Sequence, residues 1–266
     1  MFGCENNGRE HTMCLILFAY RRHPDFPLLI AANRDEYHQR PAQPARFWPE
    51  LPQLLAGRDL HGGGTWLGVN RNGRFAAVTN FREPGATSGE RSRGEICVNF
   101  LRSGTSASRF AHQLSARANQ YGGYNLLLWD GDQLCYYSNQ NQQQRLLEPG
   151  IYGVSNGYLN EAWPKVVSGK QGLEQALASR DIFENCLAML ANREQPQDHH
   201  LPNTGVGLEF ERLLAPRFIL SNDYGTRVSS VLGVPEEGEL SFIEQSFAAN
   251  GGYCGRVRYD FPLRRS

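Results

Sequence analysis

Cys14 directly follows Met13 and opens an apolar run, Cys14 to Tyr20, in a chain of 266 residues. A chain beginning at Cys14 would carry a thiol and an α-amine on one residue. An α-amine has a pKa of about 7.7–8.0, so it can serve as the thiol's own base and no separate histidine is needed. The same position also suits a small buried hydrophobe at the start of a strand. A second group, Asn33-Arg34-Asp35-Glu36, follows the run Leu28 to Ala32. A hairpin of the two runs brings this tetrad to the start of the first strand, close to Cys14. There Arg34 can hold a thiolate or an anionic group, and Asp35 can orient an amine or Arg34; a solvated strand end with a surface ion pair is the alternative. Asn80 and Asn156 each end an apolar segment, where a side-chain amide can donate to an oxyanion or serve a turn.

Other motifs carry less. Residues 153–157, Gly-Val-Ser-Asn-Gly, match the G-x-S-x-G elbow of α/β-hydrolases, but the alternating strand–helix units that such an elbow needs are missing. His61 lies in the Gly-rich stretch Arg58 to Trp66 and can ligate a metal or haem, or simply be solvated. Gly62-Gly63-Gly64 lacks the Lys-Ser/Thr of a phosphate loop. The six cysteines show no CxxC spacing, and His199-His200 is a weak metal signal.

The elements that must position these residues read mainly as antiparallel hairpins. Cys14–Tyr20 pairs with Leu28–Ala32, Gly64–Val69 with Arg74–Thr79 across Asn72-Gly73, Leu126–Trp129 with Leu134–Tyr137, and Arg227–Leu232 with Glu239–Ile243. Helical spacing covers Arg93 to Leu101, Ser106 to about Gln120, Glu161 to Ser179 and Arg180 to Asn192, with Pro164 and Gly172 blurring the third. Asn139 to Gln144 and Gln195 to Gly205 read as loops. Helices in blocks between hairpins predict an α+β fold with antiparallel sheets. No repeat or linker divides the chain, so 13–266 is expected to be one domain, preceded by residues 1–12 as a leader or a mis-called start.

Composition narrows the function classes. Twenty-seven Lys and Arg balance twenty-seven Asp and Glu, so no basic face for nucleic acid is expected. No apolar run is long enough to span a bilayer, and the first twelve residues lack the features of a secretory signal. A cytoplasmic protein is expected, with most cysteines buried rather than bridged.

Taken together, Met13-Cys14-Leu-Ile-Leu, Leu29 to Glu36, Gly63 to Gly68, Ala77 to Asn80, Arg93-Gly-Glu95, Tyr124-Asn-Leu126, Tyr152 to Asn156 and Tyr224 to Arg227 resemble the NRDE family. It is also called the transport and Golgi organization protein 2 family. The resemblance runs from about Met13 to Phe261. It implies similarity to N-terminal-nucleophile hydrolases of the choloylglycine type, whose fold is a four-layer αββα sandwich. On that pattern Cys14, Arg34, Asp35, Asn80 and Asn156 match catalytic positions, and Arg227 is compared with a late active-site arginine. Arg34 and Asp35 are adjacent here, whereas those amidases separate the two.

The family resemblance also implies intracellular haem trafficking; the sequence supplies no decisive ligand, and Cys14 and His61 are the two residues available as the axial one. Two expectations follow. One is a non-covalent haem carrier of the NRDE family, taking haem or another hydrophobic small molecule and delivering it to haem-receiving proteins, with no metal ion of its own. The other is an amidohydrolase that cleaves a C–N amide bond with Cys14 as nucleophile.

Overall fold

Side-chain alternation in two long apolar runs sets the architecture. The computed structural model describes residues 13–82 and 89–264; the expected leader, residues 1–12, lies outside the described residues. Strands β1 (Met13–Tyr20) and β2 (Leu28–Tyr37) form the expected hairpin. The β1 residues Leu15, Leu17 and Ala19 face one side of the sheet, and Ile16, Phe18 and Tyr20 face the other. Both faces are buried, so each must be covered by another layer.

One sheet adds β10 (Gly150–Val154), β11 (Tyr224–Val234), β12 (Glu239–Phe247) and β13 (Tyr253–Pro262), in the order β10-β1-β2-β11-β12-β13. The other runs in chain order: β3 (Ala42–Trp48), β4 (Leu51–Asp59), β5 (Leu67–Asn70), β6 (Phe75–Asn80), β7 (Tyr124–Trp129), β8 (Leu134–Ser138) and β9 (Gln143–Leu146). Every pairing in both sheets is antiparallel. The described residues also form five α-helices: α1 (Gly94–Arg102), α2 (Ala107–Ser115), α3 (Pro164–Leu177), α4 (Ile182–Leu190) and α5 (Leu208–Leu214).

Three apolar clusters show how these layers stack. Ile16, Phe18 and Ile30 of the first sheet pack with Val69, Phe75, Leu127 and Trp129 of the second. Leu15, Leu17 and Ala31 pack on the other side against Val166 and Leu173 of α3 and Cys186 and Leu190 of α4. Ala76, Leu126 and Leu128 pack outward against Phe100 of α1 and Phe110 and Leu114 of α2. The fold is therefore α+β, with two antiparallel sheets face to face and helices on both outer faces. No helix among the described residues is long and apolar enough to cross a membrane.

Two local expectations change. Pro164 occupies the first turn of α3, where its missing N–H costs nothing, so it starts that helix rather than blurring it. The tetrad 33–36 does not follow the end of β2 but lies inside it. Arg34 and Asp35 pair with Cys14 and Met13 on one side, and β11 pairs with residues through Tyr37 on the other.

Candidate functional site

Strand alternation splits the tetrad between two compartments. Leu29 and Ala31 face α3 and α4, and Asn33 and Asp35 continue that face; Ile30 and Ala32 face the second sheet, and Arg34 and Glu36 continue theirs. Asn33 is fully buried and structural. Its amide donates to the carbonyls of Leu190 (3.0 Å) and Arg217 (2.7 Å), and its oxygen accepts from Ser229 Oγ at 2.6 Å. It thereby ties the end of α4 and the approach to β11 onto β2.

Asp35 sits behind the sheet with Lys165 of α3, both buried. Its Oδ1 accepts from Thr226 Oγ1 at 2.6 Å, while Oδ2 has no hydrogen-bond partner. Burial pushes the Asp35 carboxyl up, opposed first by the charge of Lys165. Burial pushes the Lys165 amine down, opposed by Asp35. Lys165 Nζ also donates to the Leu214 carbonyl at 3.1 Å.

On the other face, Cys14 lies opposite Arg34 in the β1–β2 register, so their side chains are cross-strand neighbours. Arg34 bridges Glu36 (3.2 Å) and Asp59 (3.3 Å), and Arg40 Nε reaches Asp59 at 2.8 Å. Burial alone would raise the Asp59 carboxyl, but the Gly62 amide and Arg40 hold it below its usual range. Asp59 Oδ1 also accepts from the His61 amide at 2.9 Å and the Gly62 amide at 3.0 Å, which fixes the glycine-rich turn.

The backbone of Cys14 is held by β10 and the turn after it. Its N–H donates to Asn156 Oδ1 at 3.4 Å, and its carbonyl accepts from Ser155 Oγ at 2.8 Å. Asn156 Nδ2 donates in turn to the Asn80 carbonyl at 2.8 Å. Ser155, the serine of the elbow pattern, is thus a buried clamp on Cys14. Burial pushes the Cys14 thiol up to about 12, against the pull of the Arg34 charge.

Cys14, Arg34 and Glu36 from one sheet, Asp59 and Asn80 from the other, and Trp66 just before β5 line a cleft of about 390 Å³, within the range of small-molecule pockets. His61 is exposed on its rim. Arg227 does not line the cleft: its Nη1 donates to the carbonyls of Tyr37 (2.9 Å), His38 (3.1 Å) and Arg40 (3.0 Å) and so closes the β2–β3 turn. The register of β11 shifts between Thr226 and Val228, and Val228 reaches the cleft instead.

Sequence reasoning passed over Asp59, Arg40, Lys165 and Glu244. Asp59 stood two residues before His61. Glu244, a cleft-lining carboxyl, directly follows the apolar pair Phe242-Ile243, and its place in mid-strand was a signal. Lys165 beside Pro164 was hidden by the reading of that proline.

The glycine-rich stretch acts through close packing. A Cβ on Gly64 would lie 2.4 Å from the Gly94 carbonyl carbon, backbone against backbone at the start of α1. Gly64→Ala is expected to lower the thermal midpoint by roughly 3–10 °C, the equivalent of an overpacking cost of about 1–3 kcal/mol. Gly104→Ala, with no atom within 4 Å of its added Cβ, serves as the comparison. Equal midpoints for the two variants in a thermal melt would rule out this role for Gly64.

The sequence profile described as Transport and Golgi organisation 2 matches residues 13–249. The chain is similar to Transport and Golgi organization protein 2 homolog of Bos taurus, 35% identical over 260 residues that cover 88% of this chain and 93% of the relative. It is 32% identical to the Homo sapiens homolog over 278 residues, covering 95% and 100% of the two chains. Similarity to Transport and Golgi organization protein 2 of Drosophila melanogaster is 24% over 264 residues, covering 88% and 92%.

Proposed function

This chain belongs to the Transport and Golgi organisation 2 family, and from that premise we propose that it is a cytoplasmic carrier of haem on a hydrolase-like scaffold. The single observation that carries the reading is one cleft that joins a thiol, several arginines and apolar walls, with the carboxyls of Glu36, Asp59 and Glu244 also lining it. Cys14 supplies the thiol; Arg34 and Arg40, which also pair with Glu36 and Asp59, Arg58, which also pairs with Glu50, and Arg93 supply the cations; Trp66, Val78 and Val228 supply the walls. These residues fit a flat apolar cargo that bears carboxylates. Arginine forks pair with carboxylates, and Trp66 offers a face to a ring system. Cys14 or His61 would coordinate the iron. Because burial favours the protonated Cys14 thiol, coordination there releases a proton, whereas His61 is exposed and suits release to a receiving protein.

Titration of the full chain with ferric haem tests this. Saturable change in the Soret region is expected, with affinity about tenfold or more weaker in Cys14→Ala or His61→Ala, a loss of at least about 1.4 kcal/mol. A linear, non-saturating titration would discard the carrier reading.

A second reading is favoured by one observation, the hydrogen-bond chain from the Cys14 amide through Asn156 to Asn80. The stacked sheets with helices outside support a scaffold of the N-terminal-nucleophile hydrolase type. In a chain starting at Cys14, the thiol would attack an amide carbon while the α-amine takes its proton and passes it to the leaving amine. Asn80 and Asn156 would donate to the oxyanion, and water would then cleave the thioester to free acid and thiol. Intact mass of the protein from its own host decides this reading. A chain that retains Met13 has no free amine on Cys14 and cannot work this way.

A further inference from the structure

The ends of β5, β6 and α1 that lie away from the Cys14 cleft enclose a second, larger hollow of about 890 Å³. The Cys14 cleft takes Trp66 before β5, Asn80 at the end of β6 and Gly94 at the start of α1. The second hollow takes Asn70 at the end of β5, Arg74 before β6 and Arg102 at the end of α1. With about 3.3 Å per strand residue, Arg74 and Asn80 stand roughly 20 Å apart, so the two are separate sites.

Three arginines reach this hollow from three parts of the chain: Arg74, Arg102 and Arg264, the last beyond β13. Arg74 is only 9% exposed. Its Nη2 donates to the Thr105 carbonyl at 2.6 Å, its guanidinium lies 4.2 Å from the centre of the Phe100 ring, and its buried Nε has no partner. None of the three enters an ion pair among the described residues.

Asp130 and Asp132 also line the hollow, and the charge of Asp130 acts on Arg74, but both are bonded to other groups. Asp130 accepts the Ala107 amide at 2.7 Å through Oδ2, and the Asp132 and Gln133 amides at 3.0 and 2.8 Å through Oδ1. Asp132 turns to Arg21 at 3.6 Å. Asp130 offsets the burial of the Arg74 guanidinium only in part, since among the described residues no carboxylate closes an ion pair with it, and a buried cation so placed is costly; beside it stand two further cations. Leu51 and Leu101 add apolar wall.

We propose that this hollow binds a phosphate-bearing small molecule, with the phosphate among Arg74, Arg102 and Arg264 and the organic part against the leucines. A carboxylate is satisfied by one arginine fork, whereas a phosphate presents oxygens in several directions and can engage forks arriving from three elements. The site shares no residue with the Cys14 cleft and stands or falls independently of the carrier reading.

Calorimetric titration of the full chain with inorganic pyrophosphate, alongside citrate, tests the assignment. One saturable site is expected for pyrophosphate. The exposed pair Arg102→Gln/Arg264→Gln should weaken it at least tenfold while leaving the thermal midpoint unchanged. Arg74→Gln should weaken it further, but Arg74 also packs on Phe100, so the exposed pair is the deciding variant. Absence of saturable heat, undiminished binding in the double variant, or equal affinity for citrate would each overturn the proposal.

Discussion

Glu211→Ala is expected to cost about 3–5 kcal/mol of folding stability, because it strands a buried guanidinium. Arg82 and Glu211 meet at 2.8 Å with side chains only 7% and 5% exposed. Glu211 Oε2 takes Arg82, while Oε1 accepts the Thr204 amide at 2.9 Å and the Thr204 hydroxyl at 2.5 Å. Arg82 is held further by Thr204 Oγ1 at 3.0 Å, by Met13 Sδ at 2.8 Å and by the Trp163 ring at 5.1 Å. One carboxylate therefore anchors α5 and the preceding loop to the residue next to Cys14.

The companion variant separates charge from packing. Arg82→Met/Glu211→Leu removes both ions together and is expected to be closer to wild type than Glu211→Ala, since the main penalty comes from the unpaired charge. Urea midpoints at constant slope report the difference. A loss below about 1 kcal/mol for Glu211→Ala would mean that water reaches Arg82 and that the pair is not sealed.

The same pair marks a limit on what residue pattern reveals. The hairpins β1–β2, β5–β6, β7–β8 and β11–β12 were legible because continuous apolar runs flank turn residues such as Asn72-Gly73. Strands β3, β4 and β13 were not, since Gln43, Arg46, Arg256 and Arg258 break their apolar pattern and only sheet pairing makes them strands. The seven-residue α5 shows too little periodicity to stand out, and Glu211 gains its meaning from Arg82, 129 residues away. At the site, the proximity of Cys14 to Arg34 followed from hairpin register. The contact of Cys14 with Asn156, 142 residues away, depends on β10 lying on the other edge of β1, a pairing that local spacing does not encode. The division of Asn33 and Asp35 from Arg34 and Glu36 was within reach, because parity counted from Leu28 assigns each face once β2 is known to continue through the tetrad.

Glu244 is the second residue whose charge should dominate a measurement. It is 3% exposed, lines the Cys14 cleft, and accepts the Ala45 amide at 2.7 Å and the Ser230 hydroxyl at 3.4 Å. Burial pushes its carboxyl up to about 7 from an ordinary 4.5, against those two donors and the charge of Arg34. Between these two values the folded state holds more protons than the unfolded state, so stability falls as pH rises. The stabilisation is complete below about 4.5, is lost through about 7 and changes no further above it. Each pH unit across that window is worth about 1.4 kcal/mol, so the total reaches roughly 3–4 kcal/mol. Glu244→Gln keeps the acceptor for Ala45 and cannot ionise. It is expected to match wild type near pH 4.5 and to exceed it by that amount at pH 8, with urea midpoints of both proteins followed across the range. Asp35, raised by burial in the same direction, remains in both proteins and cancels from their difference. Parallel curves for the two proteins would show that Glu244 ionises inside the fold without penalty, through water in the cleft or a closer approach of Arg34.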